Sequence, residues 1–79
     1  MLFIFIRIGA YAMKKTYQTR MRELREDRDL TQKEVAAILG ITQQTYALYE
    51  IGTREIPMRH FVALVKYYRV SADYLLGFI

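Results

Sequence analysis

The sequence predicts an all-α domain held together by packing alone, and three observations predict it. Apolar residues recur every three or four positions from Tyr17 onward, capping residues stand at the breaks between those runs, and the chain contains no cysteine. A chain of 79 residues and 9.4 kDa, 53% hydrophobic and 25% charged, is expected to form one small globular domain without a second catalytic or ligand-sensing one. The lack of cysteine excludes a disulfide scaffold, a Cys-ligated zinc site and a thiol nucleophile. Twelve Lys plus Arg against eight Asp plus Glu give a net charge of +4 and a pI near 9.6, a mild bias towards polyanionic partners.

Composition shifts once, at Met13. Residues 1–12, MLFIFIRIGAYA, carry Arg7 as their single charge, whereas residues 13–79 mix polar and apolar positions at helical spacing and are read as the folded domain. A membrane-crossing helix needs roughly 20 apolar residues, and Arg7 and Lys14 interrupt the stretch well before that. Ala10-Tyr11-Ala12 suggests an export cleavage site, but no basic start precedes the apolar run, so the expectation is a cytoplasmic protein without membrane association. Two readings of this arm stay open. Translation starting at Met13 makes it an upstream extension; alternatively Phe3, Ile4, Phe5, Ile6 and Ile8 form a β-strand that needs a cover, either a second subunit's arm or the helices.

Each helix is justified in turn. In the first, over Tyr17–Asp27, Tyr17, Met21 and Leu24 form the inward stripe, with Arg20, Arg22, Glu23, Arg25 and Glu26 on the other faces. Thr31-Gln32-Lys33-Glu34 is a capping box that opens a second helix, in which Val35, Ala36 and Leu39 point inward and which stops at Gly40. Thr42 caps a third helix, Gln43–Ile51, at once. A fourth follows Pro57, tolerated in a first turn, with Phe61, Leu64, Val65 and Tyr68 on one stripe. Ser71 caps a short last helix in which Asp73 favours the N-terminus and Tyr74, Leu75 and Leu76 close the core before Gly77, leaving Phe78 and Ile79 exposed.

The junction of the second and third helices carries the function. Two short helices joined by a tight turn containing Gly form a helix-turn-helix unit, and Val35, Ala36, Leu39, Gly40, Ile41, Tyr46 and Tyr49 meet its packing requirements. On a wheel, Gln43, Gln44, Ala47, Leu48 and Ile51 share an arc of about 140°, opposite Thr45, Tyr46 and Tyr49. Glutamines in the first turn of such a helix can pair with adenine N6 and N7, and Ala47 and Leu48 can touch a thymine methyl. Outside this pattern, the same glutamines would be a solvated pair on a surface helix.

On these residues, TQKEVAAILGITQQTYALYEIG, with MRELREDRDL before it and SADYLLG after it, resembles the Cro and phage-repressor helix-turn-helix family, often called the XRE family, over residues 17–77. The resemblance implies a five-helix, lambda-repressor-like domain that binds double-stranded DNA as a homodimer on a palindromic operator. By position, it implies phosphate contacts from Gln32, Thr42, Thr53 and Arg54, base contacts from Gln43, Gln44, Ala47 and Leu48, and an ion pair between Arg25 and Glu50 that orients the reading helix. It also implies twofold contacts through the last helix and tail, at Tyr74, Phe78 and Ile79. The chain departs from the pattern at Leu48 and Ile51, where relatives often carry polar or basic residues, so base preference is expected to lean on methyl contacts and shape. With Arg54, Arg59 and His60 as the basic side chains beyond the reading helix, the phosphate grip is expected to be moderate.

An enzyme is not expected. His60 is the single histidine, the carboxylates lie scattered over helix surfaces, and no Gly-rich phosphate loop is present, so neither a catalytic constellation, a metal site nor a cofactor is read here. The competing class is a partner-binding module: the DNA-binding antitoxin of a toxin pair, or a small domain whose apolar arm or tail docks on another protein.

Overall fold

The computed structural model describes residues 15–79, so both readings of the arm and the boundary at Met13 lie outside the described residues. Five helices follow in order: α1 (Tyr17–Asp27), α2 (Gln32–Leu39), α3 (Gln43–Ile51), α4 (Met58–Tyr68) and α5 (Ala72–Leu76), and no strand occurs among the described residues.

Local chemistry places the helix ends. The hydroxyls of Thr16, Thr31, Thr42 and Ser71 accept from the backbone NH groups of Thr19, Glu34, Thr45 and Tyr74, and each satisfies a donor that the first helical turn leaves free. At α2 the box closes in both directions, because the Glu34 carboxylate also accepts from the Thr31 NH at 2.8 Å. Pro57 is the N-cap of α4 rather than a member of its first turn, and its carbonyl accepts from the NH groups of His60 and Phe61. Gly40 ends α2 with φ at +71°, a left-handed conformation that costs a residue with a Cβ about 1–2 kcal/mol.

Helix α3 lies against both α1 and α2, while α5 packs on α1 and α4. Met21, Leu24, Val35, Ala36, Tyr46, Tyr49, Phe61, Leu64, Tyr68 and Leu75 form the buried cluster, which all five helices therefore share. Gly77 marks the tightest seam: a Cβ there would sit 1.6 Å from the Lys15 carbonyl oxygen, so only glycine lets the chain entering α1 pass the end of α5.

One face assignment is corrected. Arg20, expected on an outer face of α1, is 7% exposed. Its guanidinium stacks over the Tyr74 ring, 3.9 Å from the centroid, and donates to the carbonyls of Tyr74 at 3.3 Å and Ile79 at 2.6 Å. Acceptors from the far end of the chain make burial of this charge affordable, and nothing in the local periodicity of α1 reveals them.

Candidate nucleic-acid interface

The reading helix is presented by a short turn. After Leu39 the backbone NH of Gly40 donates to Ala37 and that of Ile41 to Ala36, which satisfies two carbonyls at the end of α2 and redirects the chain towards Thr42. Ala36 is buried where α2 meets α3, and Tyr46 and Tyr49 fill the inner side of α3. The opposite side is open: Gln43 and Gln44 are exposed, Ala47 and Leu48 half-buried, and Ile51 73% exposed. Gln44, Leu48 and Ile51 stand at spacings of four and three, so a polar tip is followed by an apolar strip on one face.

A buried carboxylate fixes this helix to the rest of the domain. The side chain of Glu50, 4% exposed, accepts from Arg25 Nε at 2.7 Å, Arg25 Nη2 at 3.2 Å and Gln32 Nε2 at 3.1 Å, and also from the Tyr46 hydroxyl. Arg25 spends Nη1 on the Leu30 carbonyl at 3.0 Å, so one guanidinium joins α1, the α1–α2 turn and α3. Burial alone would raise the Glu50 pKa, but the hydrogen bonds from Arg25, Tyr46 and Gln32 outweigh it and hold the carboxyl below its usual range. Burial and the bond to Glu50 push the Tyr46 hydroxyl far above the ordinary tyrosine value, which keeps it a donor. The ion pair expected from the family pattern is thus present. Sequence reasoning missed its third and fourth donors; Gln32 and Tyr46 stand 18 and 4 residues from Glu50, and only the spacing Tyr46–Glu50 on one helix face offered a signal.

The residues expected at phosphates divide. Thr53 and Arg54 are exposed in the loop after α3, where the Arg54 NH returns to the Leu48 carbonyl at 3.3 Å. Gln32 is half-buried and gives one amide hydrogen to Glu50, leaving its second for an outside acceptor. Thr42 is exposed, but its hydroxyl caps α3 and donates to Thr45 Oγ1 at 2.9 Å, so a phosphate there would draw that hydrogen away. His60 is a correction. It does not extend the basic surface with Arg59 but is 8% exposed and packs against Tyr49, with ring centroids 6.1 Å apart, because it shares the inward side of α4 with Phe61, Leu64 and Tyr68. Arg59 stays exposed.

After α4, Tyr74 has Arg20 on one ring face, whereas Phe78 and Ile79 are 50% and 59% exposed. An apolar groove is lined by Tyr17, Glu55, Ile56, Met58, Phe61 and Leu76. Among the described residues no cluster of His, Cys, Asp or Glu could hold a metal ion, and no helix is long and apolar enough to cross a membrane.

A tight turn between two packed helices, an exposed polar tip on the second, and a buried ion pair locking that helix in place define a helix-turn-helix DNA-binding domain. The family model for the helix-turn-helix matches residues 21–75, and the chain belongs to that family, as a regulator of the XRE type. It is 38% identical over 61 residues to the HTH-type transcriptional regulator YobD of Bacillus subtilis, covering 77% of this chain and 54% of that protein. It is 39% identical over 54 residues to the cryptic phage CTXphi transcriptional repressor RstR of Vibrio cholerae, covering 68% and 49%. The SPbeta prophage-derived HTH-type transcriptional regulator YonR of Bacillus subtilis is 37% identical over 57 residues, covering 72% and 53%. The chain thus spans about half the length of the curated relatives it matches. No solved structure matches it significantly.

Proposed function

We propose that the protein is a transcriptional repressor that acts in the cytoplasm as a homodimer, placing two copies of α3 in successive major grooves of a palindromic operator. The observation that carries this reading is the exposed Gln43–Gln44 pair at the start of a helix whose inner side is locked by Arg25, Gln32 and Tyr46 onto Glu50. Side chains held on a rigid helix end meet base edges without a large ordering cost, and the pair suits adenine N6 and N7. Ala47 and Leu48 offer thymine-methyl contacts behind it, while Gln32, Thr42, Thr53 and Arg54 take the flanking phosphates. Repression is supported by the likeness to RstR, whose name makes it a repressor. Tyr74, Phe78 and Ile79 form the twofold contact in this reading, and half-sites then repeat about 34 Å apart.

Selection of random duplex DNA at fixed salt tests the proposal. An enriched palindrome with adenine-containing half-sites is the expected result, and no enrichment from the protein begun at Met1 or at Met13 would defeat it. The second reading, an antitoxin or other partner-bound module, is favoured by the open apolar groove around Met58; it predicts that sequence-specific binding appears only with a protein partner.

A further inference from the structure

Beside α3 lies a polar surface that continues from Gln32 beyond the helix-turn-helix onto α1. Gln18, Arg22 and Arg25 stand at spacings of four and three on α1 and so form one stripe along it. The last of the three is fixed to Glu50, which sets the whole stripe against the end of α3. Gln18 reaches the other side of the junction, its Nε2 lying 3.5 Å from where a Cβ on Gly52 would stand. The resulting cleft, about 600 Å³, is lined by Thr16, Gln18, Thr19, Arg22, Gln32 and Gly52, among others.

Charge within the cleft is one-sided. Its carboxylate, Glu50, is already neutralised by Arg25 and saturated with donors, and Glu26 lies 4.0 Å from Arg25 on the outside. Glu23, on the neighbouring face of α1, is paired with Lys15 at 2.7 Å. Arg22 is exposed and has no ion-pair partner among the described residues. What the cleft offers outward is therefore a free guanidinium, the Gln18 amide, the second amide hydrogen of Gln32 and the Thr19 hydroxyl, which accepts from Thr16 and keeps its own hydrogen: donors with no uncompensated negative charge. The cleft is also continuous at Gln32 and Gly52 with the elements that flank α3.

We infer that Gln18 and Arg22 bind the phosphate backbone of the same DNA duplex whose bases α3 reads, and so extend the footprint onto α1. Arg22 supplies the charge and Gln18 a neutral donor, and neither reads sequence. The inference rests on the DNA-binding reading and deepens it. Its test is the salt dependence of binding, followed by fluorescence anisotropy on two duplexes: the one selected by the wild-type protein and a scrambled one of equal length. Neutralising one phosphate contact changes the slope of log K against log salt by about one unit, and a homodimer carries Arg22 twice, so Arg22→Ala should flatten the slope by about two units and weaken both duplexes in parallel, roughly ten- to a hundredfold near 0.15 M salt. Arg22→Lys should restore the slope. Gln18→Ala should weaken both duplexes with the slope unchanged, and Lys66→Ala, on the last turn of α4, should do nothing. An unchanged slope in Arg22→Ala, or a loss confined to the selected duplex, would overturn the inference; a wild-type protein that binds neither duplex would instead defeat the DNA-binding reading itself. Because Arg22 is exposed, thermal melts of the variants should coincide with wild type, and a variant that melts early is replaced by Arg22→Gln for the same comparison.

Discussion

In the proposed reading single residues act either by touching DNA or by holding those that do, and the two classes separate experimentally. Gln43→Ala should relax base preference at one position per half-site and cost about 1–3 kcal/mol of discrimination, whereas Arg54→Ala should weaken all sequences alike; competition binding against single-base operator variants distinguishes them. Glu50 belongs to the holding class. Glu50→Gln leaves the partly buried Arg25 guanidinium without its charge partner, and because breaking a fully buried pair costs about 3–5 kcal/mol the loss should lie at or below that range, measurable by urea unfolding. Because the Glu50 pKa is lowered by folding, its contribution is complete above the unfolded value of 4.5 and is lost as pH falls through the folded one. The acid limb of the stability profile should therefore be shallower in Glu50→Gln than in wild type. His60 acts in the same direction at higher pH. Burial lowers its pKa from 6.5, its Nδ1 has no partner among the described residues, and the unfolded chain takes up the proton first. Stability should begin to fall below about pH 6.5, and a His60→Gln variant should remove that part of the profile.

Helices and turns are set by short-range chemistry, so their failures are local and graded. Thr31→Ala removes half of the box that starts α2 and should cost about 1 kcal/mol. Gly40→Ala meets no atom within 4 Å, so its penalty is the backbone strain of a left-handed residue, about 1–2 kcal/mol. Gly77→Ala carries that strain and also drives a Cβ into the Lys15 carbonyl, so it should destabilise more than Gly40→Ala. In a domain of this size each kcal/mol lowers the melting temperature by about 4–8 °C, which lets calorimetry rank the three. Equal losses for the two glycines would contradict the close packing of the chain before α1 against the end of α5.

At the scale of the whole molecule, polar and apolar surfaces are separate. One surface presents α3 and the polar cleft on α1; another carries the groove around Met58, and Phe78 and Ile79 are exposed after α5. A homodimer on a palindrome requires a self-complementary contact away from the bases, and the exposed apolar tail is the surface proposed for it. Phe78→Asp should leave the melt of the isolated chain nearly unchanged while shifting sedimentation from dimer to monomer and lowering operator affinity at least about tenfold, since two half-sites are then bound independently. Persistence of the dimer would move the interface elsewhere.

The sequence by itself determined the five helices, their caps and the helix-turn-helix, because those depend on hydrogen bonds and periodicities spanning three or four residues: Thr31 with Glu34, the Gly40 turn, the stripe of Phe61, Leu64 and Tyr68. It also exposed the reading face, since Gln43 and Gln44 lie opposite Tyr46 and Tyr49 on a regular wheel. The Arg25–Glu50 pair was legible only through the family pattern. What the tertiary structure alone decided is where polar groups distant in sequence converge. Arg20 is buried because carbonyls 54 and 59 residues away meet it, His60 because α4 turns its inner side onto Tyr49, and Gln32 and Arg25 share Glu50 because α1, α2 and α3 cross at one point. The cleft of Gln18 and Arg22 follows from that same crossing. Periodicity assigns a residue to a face of its own helix, but the solvation of a charge depends on what the other helices bring to that face.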